Sequence, residues 1–223
     1  MARRLAVAHL INALMTKSLI IFDMDGTLID SSRLLANAIN YVRGKLALPP
    51  MPPQYIIAEI NNHQHNPARF FYETDQFEPI HEEWFGEYYT AHHHEELQLY
   101  DGIRELLIVL KEQGRHLAVA TNAYRSSTIE SLRALEIEHF FDAVVCQDDV
   151  ANPKPAPEML YRILDRLQTP KENAIFIGDG PRDEEAAQAA GIDYIMVDWG
   201  FTDHHDRAVV KSVEELARIL LKP

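Results

Sequence analysis

Five short apolar runs, separated by helical patterns, constrain this chain more than any other feature. They are Leu19–Phe22, Leu117–Ala120, Ala143–Cys146, Ala174–Ile177 and Tyr194–Val197. Each carries β-branched or small apolar residues without strict alternation, the pattern of strands covered on both faces. Helical periodicity fills the gaps between the last four, over Ile103–Lys111, Met159–Leu167 and Asp183–Ala190, the last stopping at Gly191. Ser127-Thr128-Ile129-Glu130 has the spacing of a capping box and predicts a helix start there. Strand and helix in alternation predict an α/β fold, a doubly wound parallel sheet.

The rhythm breaks between the first two runs. Residues 31–98 are too long for one crossover helix. The stretch opens on Asp30-Ser31-Ser32, a helix-start signal, and continues helically over Leu34–Val42. Pro49-Pro50 and Pro52-Pro53 make a rigid break, and helical patterns follow at Ile56–Ile60, Ala68–Tyr72 and His81–Ala91. The expected organisation is an N-terminal extension (1–17), a core domain (18–30 and 99–223) and a small inserted α-helical domain (31–98). Arg3-Arg4 ahead of Leu5-Ala6-Val7-Ala8 faintly resembles a targeting segment, but His9 and Asn12 interrupt its apolar part. Met15 is an equally good start.

Polar residues at the ends of the runs carry the chemistry. Asp23 and Asp25 follow the first run, Thr121 and Asn122 the second, and Asp179 and Asp183 the fourth. Lys154 follows the third, within Asn152-Pro153-Lys154-Pro155. Open parallel sheets bind ligands beyond the carboxyl ends of their strands, so these groups are expected to converge. Two carboxylates about 4 Å apart repel by roughly 4 kcal/mol at an effective dielectric near 20. A divalent cation removes that penalty, and an all-oxygen set favours Mg²⁺ over zinc or copper. Asp23 is the candidate nucleophile and Asp25 the proton donor and acceptor. Thr121 and Asn122 are read as hydrogen-bonding phosphoryl oxygens, with Lys154 neutralising charge on the transferring group. Asp179 is expected to complete the metal shell set by Asp23 and Asp25, supported by Asp183.

These residues, as Asp23-Met24-Asp25-Gly26-Thr27, Thr121-Asn122, Lys154, and Asp179 with Asp183, closely resemble the four ordered motifs of the haloacid dehalogenase superfamily. The likeness covers nearly everything after Lys17, and is nearest the subgroup containing phosphoglycolate phosphatase. It implies a phospho-aspartyl intermediate at Asp23, Asp25 as general acid and base, Mg²⁺ on Asp23, the Asp25 carbonyl and Asp179, and a helical cap after the first motif. The implied activity is a phosphatase acting on a small phosphorylated metabolite. Sugar-phosphate mutase, pyrophosphatase and nucleotidase chemistries stay open, as does an inactive phosphate-binding module. Within the family a dehalogenase would not need Asp25. A phosphonate-cleaving enzyme uses a cap lysine, and no lysine lies between Leu46 and Ile103. Thr27 leans toward a phosphatase, since the mutases more often carry Val there.

Other features bound the partners. Net charge is −13, from 34 acidic and 21 basic residues, which argues against a nucleic-acid footprint. No apolar stretch is long enough to span a bilayer. The single cysteine, Cys146, sits in an apolar run and reads as buried packing in a reducing compartment, hence a cytoplasmic expectation. His92-His93-His94 point about 100° apart on a helix, so they read as a solvated helix end rather than a metal site. His204-His205 read as loop decoration. Arg69, the only Lys or Arg between Leu46 and Ile103, is the candidate contact to an anionic or polar leaving group, with His63 and His65 as its neighbours. The alternative is an ion pair with Glu73 one turn on. The oligomeric state, monomer or dimer, stays open.

Overall fold

The structure, a computed structural model, describes residues 17–60, 65–200 and 209–221. In chain order it runs β1 (Leu19–Phe22), β2 (Ile29–Asp30), α1 (Ser32–Lys45), α2 (Pro53–Ile60), α3 (Pro67–Tyr72), α4 (Pro79–Glu96) and β3 (Gln98–Leu99). It continues as α5 (Ile103–Glu112), β4 (His116–Ala120), α6 (Arg125–Ala134), β5 (Ala143–Val145) and α7 (Glu158–Arg166). The last elements are β6 (Ala174–Gly178), α8 (Pro181–Ala190), β7 (Asp193–Val197), β8 (Val209–Val210) and α9 (Val213–Leu220). The chain divides into two compact units, one of residues 1–29 and 99–223 and the other Asp30–Gln98.

The first unit is built on a six-stranded sheet in the order β5-β4-β1-β6-β7-β8. Every pairing is parallel. The fold is α/β and doubly wound, as its strand-helix alternation predicts. β1 sits at the centre with all four residues buried, which is why its sequence shows no alternation. Its odd and even residues face opposite layers. Leu19 and Ile21 join Ala118, Ala120, Phe176 and the apolar faces of α7 and α8 in one cluster. Phe22 and Phe176 are fully buried, each worth about 1.5–3 kcal/mol in transfer free energy. At their ends β4, β6 and β7 extend one residue beyond the sequence expectation, to His116, Gly178 and Asp193, and β5 stops at Val145, one short.

The residue after β1, Asp23, donates its backbone N–H to the Ile177 carbonyl at 2.8 Å, so strand pairing persists to the catalytic-candidate position. The chain then turns sharply. Leu28 and Ile29 N–H groups return to the Met24 carbonyl at 2.9 and 3.0 Å, and Gly26 takes φ +80 in that turn.

The second unit is helical. Its apolar cluster gathers Ala36, Ile39, Val42, Ile56, Phe71 and Tyr72. Buried polar groups fasten the irregular stretches. Asn40 exchanges two hydrogen bonds with the Met51 main chain, at 2.9 and 2.7 Å, across the proline-rich break. The Arg43 guanidinium donates to the Pro49 and Phe71 carbonyls. Glu96, at the end of α4, accepts from Asn37 at 3.0 and 3.1 Å and from the Tyr88 hydroxyl at 3.2 Å. Asn66 caps α3, accepting from the Ala68 and Arg69 N–H groups.

Two sequence expectations are corrected. The helix assigned to begin with a box at Ser127 begins at Arg125. Its first N–H is taken by Asp148 at 2.8 Å, a residue 23 positions away, and Ser127 lies inside the first turn. His92-His93-His94 lie at the end of α4 with His94 exposed, as expected, but His93 is buried, its ring stacked parallel to Tyr89. Cys146 is buried. Residues 1–14, His63 and His204-His205 lie outside the described residues. No helix among the described residues is long and apolar enough to cross a membrane.

Candidate active site

The centre of the site is one ammonium between two carboxylates. Lys154 Nζ donates to Asp23 Oδ1 and to Asp183 Oδ1, both at 2.6 Å. All three side chains are at least nine-tenths shielded from solvent. Asp23 hangs from the tip of β1, Asp183 from the first turn of α8, and Lys154 from the segment ahead of α7. Asp179, at the tip of β6, joins them. Carboxylate oxygens of Asp23, Asp179 and Asp183 lie within 4.8 Å of one another. The adjacent strands β1 and β6 pair in register through Phe22↔Ile177, which sets both aspartates at the same sheet edge.

Two glycines admit this crowding. A Cβ at Gly26 would lie 2.2 Å from Asp179 Oδ2, and one at Gly178 would lie 2.5 Å from Asp183 Oδ2. Asp183 has a second task. Its Oδ2 accepts the Gly180 N–H at 3.1 Å, so it caps α8 while it holds Lys154.

Three carboxyl groups face a single ammonium in a buried site, and burial first, then their mutual charge, shows in the titration of the group. Burial pushes Asp23 up from its ordinary 3.8 to about 7. Lys154 opposes the shift, while the charges of Asp183 and Asp25 add to it. Desolvation, then the charges of Asp23 and Asp183, hold Asp179 well above the usual carboxylate range. Burial alone would lower Lys154, but Asp183 and Asp23 outweigh it and keep the ammonium charged above its ordinary range. A compact set of oxygen donors with surplus negative charge fits a hard divalent cation.

The remaining candidates fall as follows. Asp25 lies two residues past Asp23 in the turn and bridges to Ile29. Thr121 is buried at the end of β4, its Oγ1 accepting the Ala123 N–H at 3.1 Å. Asn122 spends its amide on Lys154. Its Nδ2 donates to the Lys154 carbonyl at 2.8 Å and its Oδ1 accepts the Lys154 N–H at 3.0 Å. Asn122 therefore holds the main chain from which the lysine reaches the carboxylates. Arg69 belongs to the helical unit, where its exposed guanidinium pairs with Asp75 at 3.5 Å rather than with Glu73. Glu73 ends α3 in a left-handed conformation, φ 60.

Two contacts here have no signature in the sequence. The Lys154 ammonium lies 5.4 Å from the centre of the Phe176 ring, within cation–π range. The Tyr194 hydroxyl donates toward the Gly178 and Gly180 carbonyls that flank Asp179. Strand register brings Tyr194 there, since it pairs with Phe176 across β6 and β7.

A parallel sheet with an acidic, lysine-braced cluster at its carboxyl edge defines a class of hydrolase. The family model for haloacid dehalogenase-like hydrolases matches residues 20–197. The chain belongs to that family. It is 30% identical over 191 residues to a pyrophosphatase, PpaX, of Bacillus cereus, covering 81% of this chain and 82% of the relative. A phosphoglycolate phosphatase of Nitrosospira multiformis is 27% identical over 220 residues, covering 91% of this chain and 95% of the relative. Among solved structures, the haloacid dehalogenase-like hydrolase SP0104 of Streptococcus pneumoniae superposes with a TM-score of 0.73 at 28% identity, covering 91% and 98% of the two chains.

The raised Asp23 gives a signed pH dependence for the metal-free protein. The folded state favours the protonated carboxyl, so that stabilisation is complete below the unfolded value near 3.8 and is lost as pH rises through about 7. Asp23→Asn has no proton to lose. In chelator, its melting temperature relative to wild type is expected to climb between about pH 5 and pH 8. A difference that stays flat or shrinks over that range would contradict the electrostatics described.

Proposed function

We propose that the protein is a Mg²⁺-dependent phosphatase that hydrolyses a small phosphorylated metabolite, a phosphoglycolate-like phosphomonoester, through a phospho-aspartyl intermediate. The observation that carries this reading is the Lys154 ammonium held at 2.6 Å from both Asp23 and Asp183, in a cluster that includes Asp179.

The steps follow from the residues. A carboxylate oxygen of Asp23 attacks phosphorus, and the bond to the leaving oxygen breaks as Asp25 protonates it. Asp25 then takes a proton from water, which attacks the aspartyl phosphate, releases inorganic phosphate and restores Asp23. Lys154 holds Asp23 oriented through its main-chain tether to Asn122, and offers positive charge to the transferring phosphoryl group. Thr121 is assigned to the phosphoryl oxygens, with the second Nδ2 hydrogen of Asn122, the first being given to the Lys154 carbonyl. Asp23, Asp179 and the Asp25 carbonyl would hold Mg²⁺, supported by Asp183, and the bound ion would offset the cluster's excess charge and polarise the phosphoryl oxygens.

Residues 31–98 are assigned to a cap that shapes substrate choice, with the core formed by 18–30 and 99–223. Within the cap, Arg69 is assigned to the leaving group. A cytoplasmic setting accords with the one buried thiol. Pyrophosphate is kept as a second substrate reading, because several relatives are named pyrophosphatase PpaX.

Purified protein is expected to release phosphate from phosphoglycolate and p-nitrophenyl phosphate only with Mg²⁺. Asp23→Asn should lower kcat by at least about a thousandfold, as loss of a nucleophile does. Turnover that survives either change would remove the mechanism. Comparing kcat/KM for phosphoglycolate and pyrophosphate decides between the substrates. Arg69→Ala should raise KM for the true substrate about tenfold while leaving p-nitrophenyl phosphate nearly unchanged, since a leaving-group contact of about 1.4 kcal/mol is absent from the aryl ester. Equal effects on both substrates would withdraw Arg69 from recognition.

A further inference from the structure

Asp179 sits in the segment Gly178-Asp179-Gly180, the turn between β6 and α8, where neither flanking residue has a side chain to pack. A cation ligand in such a segment needs external support. The structure supplies it from β7. The Tyr194 hydroxyl lies 2.9 Å from the Gly178 carbonyl and 3.3 Å from the Gly180 carbonyl, the acceptors on either side of Asp179. One phenolic proton is shared between them, so a single group spans the segment. The ring is itself fixed, packed against Phe176 at a centroid distance of 6.0 Å and an interplanar angle of 56°. Phe176 in turn lies beneath the Lys154 ammonium. The segment's other anchors are the pairing of Gly178 with Met196 in β7, the Asp183 and Glu184 N–H groups that the Gly180 carbonyl also accepts at 3.1 and 3.3 Å, and the Gly180 N–H, taken by the Asp183 carboxylate at 3.1 Å.

We propose that Tyr194 is a positioning residue for the cation site: its hydroxyl holds the Gly178 and Gly180 carbonyls so that the Asp179 carboxylate is presented to a divalent cation. The inference rests on the reading of Asp179 as a cation ligand. Tyr194 touches neither substrate nor ion in this account. Its effect passes through the backbone of the segment that carries Asp179.

Tyr194→Phe removes the hydroxyl and keeps the ring. Tyr161→Phe is a matched control, because the Tyr161 hydroxyl also donates to a main-chain carbonyl, that of Ala189 at 3.1 Å, from an exposed side chain on α7. Metal-free wild type, Tyr194→Phe, Tyr161→Phe and Asp179→Asn would be titrated with Mn²⁺, and free ion read by electron paramagnetic resonance. Far-UV circular dichroism on the same samples reports folding. Tyr194→Phe is expected to weaken Mn²⁺ binding about tenfold or more while remaining folded, and to raise the half-saturating Mg²⁺ concentration for phosphate release in parallel. KM for the phosphoester at saturating Mg²⁺ should hold, as should every value for Tyr161→Phe. Wild-type Mn²⁺ affinity in Tyr194→Phe, with Asp179→Asn impaired, overturns the inference alone. Undiminished affinity in Asp179→Asn overturns the cation-ligand reading, and the role of Tyr194 with it. Should Tyr194→Phe lose its fold, the hydroxyl is a structural anchor and the inference fails as stated.

Discussion

Everything at this sheet edge depends on a buried ammonium facing two carboxylates. Lys154 without its partners would be a desolvated charge costing several kcal/mol, and Asp23 and Asp183 without Lys154 would repel each other in a medium that screens poorly. Together they are held at 2.6 Å. Such pairs contribute little net stability once desolvation is counted, but removing one partner strands the others. The arrangement therefore serves orientation more than folding. It fixes Asp23 and α8 relative to one another, and leaves Asp179 as a further carboxyl group that, among the described residues, has no ammonium partner within hydrogen-bonding distance. That surplus is the physical reason for a cation.

The scaffold makes this possible by separating tasks. The parallel strands provide rigidity, with β1 completely buried and paired on both sides. Their carboxyl ends provide convergence, since adjacent strands in register bring residues far apart in sequence to one edge. Close approach then falls to glycine. At Gly26 and Gly178 any side chain would collide with an aspartate of the cluster. Main-chain tethers finish the task. Asn122 grips both the N–H and the carbonyl of Lys154, and Asp183 grips the Gly180 N–H. In each case a polar side chain next to the chemistry fixes the backbone on which another reactive group stands.

The central strands, the helical insert and the acidic residues were legible because their signals are local. An apolar run of four or five residues that ends in aspartate carries its own boundary, as β1 and β6 do. Long-range contacts were not legible. The first N–H of α6 is met by Asp148, so the Ser127 box was misread as a cap. His93 lies on a face of α4 that packing covers, which a triplet of polar residues does not announce. Asn122 was expected on phosphoryl oxygens, and its bonds to Lys154 depend on a segment 32 residues away. Tyr194 reads as an ordinary strand aromatic, because its neighbour across the sheet is set by topology rather than by spacing.

The account's central claim is that Asp23 forms a covalent bond to phosphorus during turnover. The direct measurement is acid quenching of the enzyme within the first turnovers of a phosphoester, followed by proteolysis and mass spectrometry of the peptides. The account predicts an acid-stable, base-labile phosphoryl group on the peptide containing Asp23, present only with substrate and Mg²⁺ and missing in Asp23→Asn. Phosphate release without any phosphorylated peptide under those conditions, or phosphorylation of a histidine instead, would contradict it.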